Sequence, residues 1–136
     1  MIEVRFTDID SQGHANHLAI AAWVSHERVT LFDDAILRAK IGSRWDHVMV
    51  HISMAFKAAI TYPNNVLIFP EIAKIGRKSV TTNYEVCVRG EDVVRATCIN
   101  VFMCDGKPAR LPESLKDVLR NATQMSNMEH KYHTNR

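Results

Sequence analysis

One long segment near the N-terminus, His17 to Lys40, constrains the fold of this chain more than any other feature. Its apolar residues recur at alternating spacings of four and three, which is the period of a helix face. A second apolar stripe runs beside the first, so the predicted helix is apolar over much of its circumference and should be buried on several sides. Asn16 is a suitable N-cap for this helix, and Gly42 is a suitable stop signal. The first stripe is Leu18, Ala22, Ser25, Val29, Phe32, Ile36 and Ala39, and the second is Ile20, Trp23, Val24 and Leu31.

Strands are predicted on both sides of this helix. Apolar and charged residues alternate from Ile2 to Phe6, which indicates a short half-buried strand. Pro70 indicates a bulge or an edge position in a later strand. Pro112 is predicted to start a short helix that ends at about Leu119. Four strands after the long helix are predicted over residues 47–60, 66–75, 79–89 and 93–104, with turns at 62–65, 90–92 and 105–106.

The order of these elements predicts an α+β domain. One strand, one long helix and four further strands place a single buried helix against five antiparallel strands, with the sheet wrapped around the helix. We expect residues 1–120 to form this single domain and the polar segment 121–136 to be partly disordered. A sheet of this kind has exposed edges, so we expect the chain to form a homodimer.

Size, charge and cysteine content narrow the functional classes. The chain has 136 residues, the size of one ordinary domain. A net charge of +2 is too small for the concentrated basic face of a nucleic-acid-binding protein, but it allows a local cationic patch for a phosphorylated ligand. The three cysteines are odd in number and lack CxxC spacing, which argues against a disulfide framework or a zinc site and favours a reducing compartment. No apolar run approaches the roughly 18 residues of a membrane span, and no signal peptide is recognised, so we expect a soluble cytoplasmic protein.

The segment richest in potentially catalytic side chains is residues 5–17, RFTDIDSQGHANH, at the predicted start of the helix. It contains two carboxylates, a glycine, a histidine and an amide. A helix N-terminus offers unpaired N–H groups and a partial positive charge, and such donors can stabilise the oxyanion of an acyl transfer. A carboxylate held nearby can attack a carbonyl or activate water, and Gly13 allows a tight turn or a close approach to a ligand. These residues therefore indicate an acyl-transfer or hydrolysis site.

Residues 6–16, FTDIDSQGHAN, resemble the motif aromatic-x-acid-x-Asp-x-x-Gly-His-x-Asn of the hot-dog-fold acyl-CoA thioesterases of the 4-hydroxybenzoyl-CoA thioesterase-like family. Residues 75–79, IGRKS, are similar to the central hairpin of this family, and residues 107–113, KPARLPE, to its closing segment. The resemblance covers about residues 2–120. It implies a hot-dog fold, in which a five-stranded antiparallel sheet wraps a long central helix. It also implies hydrolysis of an acyl-CoA or acyl-carrier-protein thioester to a free acid and a thiol, with no metal and no organic cofactor.

The resemblance also implies roles for individual residues. Asp10 matches the catalytic aspartate of the family, which acts as a nucleophile on the thioester or as a general base on water. His14 and Asn16 would shape the site, and the amides around His17 would polarise the thioester carbonyl. Active sites in this fold lie between subunits, so a partner chain would complete the site.

Substrate-binding residues are implied in the same way. Gly13 belongs to the motif, and Arg77, Lys78 and Ser79 match a region that contacts the CoA phosphates in the family. A basic pair beside a hydroxyl suits a pyrophosphate or a 3′-phosphate. The other interpretation of Arg77 and Lys78 is an ordinary solvated turn. The expected partners are therefore an acyl-CoA and a second copy of this chain, with a dimer of dimers left open.

Two features depart from the family pattern. His17 stands where many relatives carry a second asparagine. Ser25 and His26 stand where many relatives carry two acids in the helix, so no catalytic role is assigned to the neighbouring Glu27.

Several motif residues have a structural interpretation beside the functional one. For Asp10 it is a loop acid that accepts hydrogen bonds from backbone N–H groups, and for Asn16 it is the N-cap. Asp8 is interpreted as structural, with loop amides or Arg5 as its partners. His14 is either a site residue or a packing residue of the loop.

Histidine pairs raise the question of a metal site. His47 and His51 alternate along one predicted strand, and His130 and His133 are three residues apart in the tail, beside Glu129. No third ligand is evident for the first pair and the tail is predicted to lack order, so no metal site is predicted. The aromatic residues assigned to the core are Trp23, Phe32 and Phe56.

Two other functions stay open at this point. One is a different enzyme of the same fold, an enoyl-thioester hydratase or dehydratase, which relies on a histidine–carboxylate pair. The other is a non-catalytic acyl-CoA-binding dimer, which would not need the charge of Asp10. The sequence does not decide the acyl group, the choice between CoA and acyl-carrier protein, the role of Asp10, or the choice between dimer and tetramer.

Overall fold

One long helix lies against a curled antiparallel sheet. The computed structural model describes residues 1–122. The long helix, α1, spans His17–Ala39, and a second helix, α2, covers residues 113–122. A three-residue 3-10 helix, Phe6–Asp8, precedes α1. The strands of the described residues are β1 Ile2–Glu3, β2 Trp45–Phe56, β3 Asn65–Ile75, β4 Ser79–Val88, β5 Glu91–Cys104 and β6 Lys107–Pro108.

The strands form one antiparallel sheet in the order β1-β3-β4-β5-β2, and β6 pairs with β5. The predicted long helix and five antiparallel strands are confirmed, whereas the short β6 was not predicted. Within residues 1–122, β2 pairs only with β5, so its outer edge carries no strand. β1 pairs with β3 only at Asn65 and Val66. Pro70 therefore lies at an edge of the sheet, where its missing N–H costs no ladder hydrogen bond.

The first strand is shorter than its alternating pattern predicts. β1 ends at Glu3 and does not reach Phe6. The cause is Asp8, whose carboxylate accepts a hydrogen bond from the backbone N–H of Arg5 at 2.8 Å and so turns the chain into the short 3-10 helix. Phe6 consequently lies on the surface with 72% of its area exposed.

The second strand also ends before its predicted limit. β2 stops at Phe56 and does not continue to Ile60. The backbone N–H groups of Lys57 and Ala58 both donate to the carbonyl of Val93, at 2.8 and 3.2 Å. Because both N–H groups bond to the same carbonyl, the one-to-one pairing of residues between this segment and β5 is lost and the regular ladder ends here.

Helix α1 buries members of both apolar stripes, and the expectation for the first stripe is wrong at several positions. Leu18 is 69% exposed and Val29 is 38% exposed. A helix that is apolar around most of its circumference does not reveal from periodicity alone which face packs. The helix ends before Gly42, because Lys40 already adopts the left-handed conformation with φ of 55°. Neither helix in residues 1–122 is long and apolar enough to cross a membrane. The buried residues of α1 are Ile20, Trp23, Val24, Phe32, Ala35 and Ala39.

The core has two halves, one under each end of α1. The first contains Ile20, Trp23 and Val24 together with Tyr84, Val86, Val94, Ala96 and Cys98. The second contains Phe32, Ala35 and Ala39 together with Val80, Phe102, Leu111, Leu115 and Leu119. The start of α1 therefore lies over the Val94 end of β5, and the end of α1 lies over the Phe102 end.

A bulge in β2 overturns the expectation that two histidines share one strand face. The pairing of β2 with β5 shifts between Met49 and His51, so Val50 is an extra residue in the strand. The side chain of His47 is only 5% exposed, whereas His51 is exposed. The extra residue reverses the alternation and separates the two side chains.

Candidate active site

The segment between β1 and α1 forms a narrow loop that is closed by its own backbone. Ile9 and Ala15 pair as an isolated antiparallel bridge, and the N–H of Asp10 donates to the carbonyl of His14 at 2.9 Å. The N–H of Gly13 donates back to the carbonyl of Asp10 at 3.0 Å. Gly13 has φ of 79°, and a Cβ built there meets no atom within 4 Å. The backbone turn, and not a lack of space, therefore requires the glycine.

The carboxylate of Asp10 uses one oxygen to hold this loop. Its Oδ1 accepts hydrogen bonds from the backbone N–H groups of Gln12 at 2.8 Å and His14 at 3.4 Å. Among the described residues, Oδ2 has no hydrogen-bond partner, and Asp10 is exposed. The structural interpretation of Asp10 therefore involves one oxygen and leaves the other free for the catalytic role that the resemblance implies.

The other acid of the motif, Asp8, has a purely structural environment. It is 5% exposed, and its carboxylate is bonded to the backbone N–H and the guanidinium of Arg5. Its carbonyl accepts a hydrogen bond from the N–H of Asn16 at 2.9 Å. The structural interpretation of Asp8 is confirmed, and this residue ties the start of the loop to the start of α1.

The first turn of α1 presents free backbone donors beside the Asp10 loop. The side chain of Asn16 accepts a hydrogen bond from the N–H of Ala19 at 2.8 Å, which confirms Asn16 as the N-cap. The N–H groups of His17 and Leu18 have no acceptor among residues 1–122. These two donors stand at the positive end of the helix dipole, where a negatively charged oxygen is stabilised.

The loop, the start of α1 and the chain after β2 enclose a cleft of about 400 Å³. Backbone contacts join its sides: the N–H of Ala15 donates to the carbonyl of Ile60 at 2.7 Å, and His14 pairs with Thr61. Phe56 was expected in the core, but it is 52% exposed because β2 ends there and leaves its ring in the cleft wall. The lining residues are Asp10, His14, Ala15, Asn16, His17, Ile20, Phe56, Lys57, Ala58, Ala59 and Ile60.

Sequence reasoning missed the wall that follows β2. Residues 56–60 were predicted to end a strand, although their apolar and polar residues no longer alternate after Phe56. Two consecutive small residues, Ala58 and Ala59, shortly before the Tyr62-Pro63 turn were the available signal. They indicate a segment that leaves room for a ligand instead of continuing a ladder.

The residues that the resemblance assigned to CoA phosphates lie elsewhere in the chain. Arg77, Lys78 and Ser79 form the turn into β4. The carbonyl of Arg77 accepts a hydrogen bond from the N–H of Leu111 at 2.9 Å, and the carbonyl of Lys78 accepts one from Phe102 at 2.8 Å. Both basic side chains are exposed.

The distance between the two sets of predicted residues follows from the strand register. Phe56 in the cleft pairs with Val94 of β5, whereas Ser79 pairs with Val101 of the same strand. Seven residues of β-strand at roughly 3.3 Å each separate the two levels by about 23 Å. One chain therefore brings Asp10, His14, Asn16 and His17 together, and it does not bring Arg77, Lys78 and Ser79 to them.

The remaining histidine and cysteine side chains do not form a second reactive centre in the described chain. The Nε2 of His47 lies 2.8 Å from a carboxylate oxygen of Asp33, and its ring packs on Phe32 at 5.3 Å. No group of three His, Cys, Asp or Glu side chains in residues 1–122 is arranged to hold a metal ion. The tail pair at positions 130 and 133, with its neighbour at 129, lies outside the described residues. Burial raises the pKa of the Cys87 thiol to about 12, so this thiol stays protonated at neutral pH.

Comparison with known proteins places these features in a family. The model of the thioesterase-like superfamily matches residues 4–119. Among solved structures, a thioesterase from Thermus thermophilus that was crystallised with coenzyme A and Zn has a TM-score of 0.77, with 24% identity over 90% of this chain and 92% of that chain. The DHNA-CoA thioesterase from Staphylococcus aureus has a TM-score of 0.71, with 19% identity over 96% of this chain and 91% of that chain. The PA5185 protein from Pseudomonas aeruginosa strain PAO1 has a TM-score of 0.76, with 22% identity over 89% of this chain and 87% of that chain.

No curated protein matches the sequence. The solved structures share the fold, which confirms the predicted α+β architecture of the hot-dog type, with a curled antiparallel sheet against one helix. The family match spans nearly all of the described chain and confirms the prediction of a thioester hydrolase. This chain belongs to the thioesterase-like superfamily.

Proposed function

We propose that this protein hydrolyses an acyl-CoA thioester to a free acid and CoA in the cleft beside Asp10. The observation that carries the proposal is that Asp10 and the first residues of α1 line one cleft. A carboxylate and an oxyanion site are the two groups that this reaction needs from the protein. Thiolate is a good leaving group, so the proposed reaction requires no cofactor.

In the proposed reaction, the thioester carbonyl oxygen accepts hydrogen bonds from the N–H groups of His17 and Leu18, and Oδ2 of Asp10 faces the acyl carbon. As a general base, Asp10 takes a proton from water, the water oxygen bonds to the acyl carbon, and the C–S bond breaks. The CoA thiolate then takes up the proton. As a nucleophile, Oδ2 bonds to the acyl carbon itself, CoA leaves, and water opens the resulting anhydride. Both routes belong to the proposal.

The neighbouring motif residues have supporting tasks in this proposal. The side-chain oxygen of Asn16 already accepts the capping hydrogen bond, so in this proposal Asn16 holds the first turn of α1 in position. His14 and His17 line the cleft, His14 half-buried and His17 exposed, and they shape the space for the acyl group and the attacking water. Gly13 permits the turn that points the Asp10 loop at the cleft.

The proposal includes a homodimer, because the resemblance implies a site completed by a partner chain and the basic turn does not line the cleft of its own chain. CoA phosphates bound by Arg77, Lys78 and Ser79 would belong to a thioester held by the Asp10 loop of a second subunit. Two observations support pairing of two copies: the outer edge of β2 carries no strand within residues 1–122, and Val48 and Val50 on β2 are 48% and 60% exposed. A dimer of dimers remains part of the proposal, and sedimentation equilibrium distinguishes the two assemblies.

Mixed assemblies test whether the site is shared between subunits. One chain carries Asp10→Asn, and the other carries Arg77→Ala with Lys78→Ala. Each variant alone should be weakly active, whereas co-expressed chains should recover activity, because one site of each mixed dimer then has an intact Asp10 and an intact basic turn. Absence of recovery in verified mixed dimers would contradict a shared site.

We also propose a cytoplasmic location. All three cysteines, Cys87, Cys98 and Cys104, lie in the described part of the chain as free thiols. Free thiols are the ordinary state of cysteine in a reducing compartment. Fractionation of cells that express the tagged protein at its natural level tests this location.

Release of free thiol from a panel of aryl-, short-chain and medium-chain acyl-CoAs and acyl-carrier-protein thioesters tests the activity. Asp10→Asn is the matched variant, because the amide oxygen of Asn can still accept the loop hydrogen bonds from Gln12 and His14. We expect wild type to release thiol from at least one substrate and Asp10→Asn to lose about a hundredfold or more in turnover. If wild type binds acyl-CoA without hydrolysing any member of the panel, the protein is a binding module and the proposal fails.

A further inference from the structure

One cation in the candidate cleft has no part in the reaction described so far. Among the described residues that line the cleft, Lys57 is the only lysine or arginine. It follows β2 directly and lines the same cleft as the Asp10 loop. Its ammonium group donates to Oδ2 of Asp92 at 2.7 Å, and half of its side chain is exposed.

The partner of Lys57, Asp92, already has a second cationic donor. The Nε of Arg95 donates to the same Oδ2 of Asp92 at 2.6 Å. The second oxygen of Asp92, Oδ1, is buried and has no hydrogen-bond partner among the described residues. Burial of Asp92 opposes its ionisation, but the hydrogen bonds from Lys57 and Arg95 outweigh this effect and hold the pKa of the carboxyl below its ordinary value. Arg95 alone can therefore neutralise Asp92 if Lys57 moves away.

We propose that Lys57 is an anion-binding residue of the cleft, whose ammonium group leaves Asp92 to Arg95 and holds a negatively charged group of the bound thioester. This inference rests on the proposed function. The movement is inexpensive, because lysine is a flexible four-carbon chain with a freely rotating head and half of the Lys57 side chain is exposed. Arg95 does not line the cleft, so we do not expect it to bind the anion itself.

The anion held by Lys57 has two chemical sources in an acyl-CoA. One is a carboxylate or phenolate on the acyl group, and the other is a phosphate of the CoA nucleotide. A cleft of about 400 Å³ lies at the lower end of the size range of ligand sites and fits one acyl group with the thioester. Substrate analogues that carry only one of the two anions distinguish the sources.

Binding of non-hydrolysable thioethers, measured by calorimetry, tests the inference without relying on turnover. The probes are a neutral aryl thioether and a carboxylated aryl thioether, each made with CoA and with pantetheine, which lacks the nucleotide phosphates. The variants are Lys57→Met, which keeps the length of the chain, Lys57→Arg, which keeps the charge, and Arg95→Gln. Arg95→Gln is the matched control, because it removes the other cation on Asp92 without changing the cleft. Thermal unfolding verifies that each variant is folded.

We expect Lys57→Met to weaken binding of the probe that carries the relevant anion roughly tenfold, which is the effect of one charge-assisted hydrogen bond at a half-exposed site. Lys57→Arg should stay near wild type, and Arg95→Gln should bind like wild type. A loss confined to carboxylated probes identifies the acyl group as the source, and a loss confined to CoA probes identifies a phosphate.

Three results overturn the inference. The first is that wild type binds none of the four probes, and the second is that Lys57→Met binds all of them as wild type does. The third is an equal loss of affinity in Lys57→Met and Arg95→Gln, which means that Lys57 only supports Asp92. Failure of the proposed hydrolysis is a separate outcome, because it would leave binding of the thioethers, and its dependence on Lys57, unchanged.

Discussion

Asp8 and Asp10 are two residues apart, but they lie in different environments, so substitutions should affect the protein differently at the two positions. Asp8 is buried, accepts the backbone N–H of Arg5 at 2.8 Å, and receives the guanidinium of the same residue at 3.3 Å. Its carbonyl also accepts the N–H of Asn16. We therefore expect Asp8→Ala to destabilise the domain, whereas Asp10→Asn should leave its stability unchanged.

The expected magnitude follows from the individual contacts of Asp8. A hydrogen bond to a charged group contributes about 1.5–3 kcal/mol, and Asp8→Ala also leaves the N–H of Arg5 without its acceptor. The ion pair adds little, because the Arg5 side chain is 74% exposed and exposed pairs contribute about 0–1 kcal/mol. Asp8→Ala should therefore lower the free energy of unfolding by about 2–3 kcal/mol, and Arg5→Ala by about 0.5 kcal/mol or less.

Urea unfolding at neutral pH measures these differences, with unchanged m-values as the sign that the unfolding reaction is the same. A loss of about 2–3 kcal/mol would be a large fraction of a typical total stability of about 5–15 kcal/mol, so the midpoint should shift clearly. Two results would contradict this assignment: a cost of less than about 0.5 kcal/mol for Asp8→Ala, or an equal cost for Arg5→Ala and Asp8→Ala. The first result would remove the buried hydrogen bond as the cause, and the second would assign the effect to the ion pair.

Two further predictions concern the helix cap Asn16 and the carboxylate of Asp92, the partner of Lys57. Asn16→Ala removes the 2.8 Å hydrogen bond from the N–H of Ala19 and should lower the free energy of unfolding by about 1 kcal/mol. Asn16→Ser should retain most of the stability that the cap contributes. Equal losses of stability for Asn16→Ala and Asn16→Ser in urea unfolding would contradict the capping role. Lys57 and Arg95 hold the pKa of Asp92 below its ordinary value of about 3.9 despite burial, so the stability that Asp92 contributes is present above about pH 4 and is lost as pH falls through the lower pKa of the folded protein. The difference in unfolding free energy between wild type and Asp92→Asn should therefore shrink from about pH 6 to about pH 2, and a constant difference would disprove this linkage.

Features that depend on local sequence were predictable. The period of α1, the alternation of β4 and the turn at Gly90 all follow from nearest-neighbour geometry and from side chains a few residues apart. Asn16 was predictable as the cap for the same reason, since the bond it accepts comes from a residue three positions later. The motif around Asp10 was located because its residues are contiguous in the chain.

Features that depend on contacts between distant segments were not predictable. Which apolar residues of α1 are buried depends on which side of the helix meets Tyr84 and Val94, and periodicity alone did not decide between the members of the two stripes. The end of β2 depends on the carbonyl of Val93, which accepts two donors from the chain after Phe56. The second wall of the cleft, including Lys57, follows from this same contact and therefore escaped sequence reasoning.

The basic turn illustrates a third kind of limit. Arg77, Lys78 and Ser79 match the family pattern one by one, but residue types carry no information about distance. The strand register separates Ser79 from the level of Phe56 by seven residues of β5. A role of this turn at the cleft belongs to the proposed dimer, and a single sequence does not describe the contact between two subunits.

The most direct test of the central claim compares turnover, substrate binding and unfolding of wild type and Asp10→Asn in parallel, on the best acyl-CoA substrate. We predict a kcat that falls about a hundredfold or more in Asp10→Asn, with an unchanged unfolding midpoint and an unchanged affinity for the thioether analogue. This result would separate the catalytic oxygen of Asp10 from the oxygen that holds the loop. Equal kcat values in two equally stable proteins would contradict the account, because the charge of Asp10 would then have no part in the reaction.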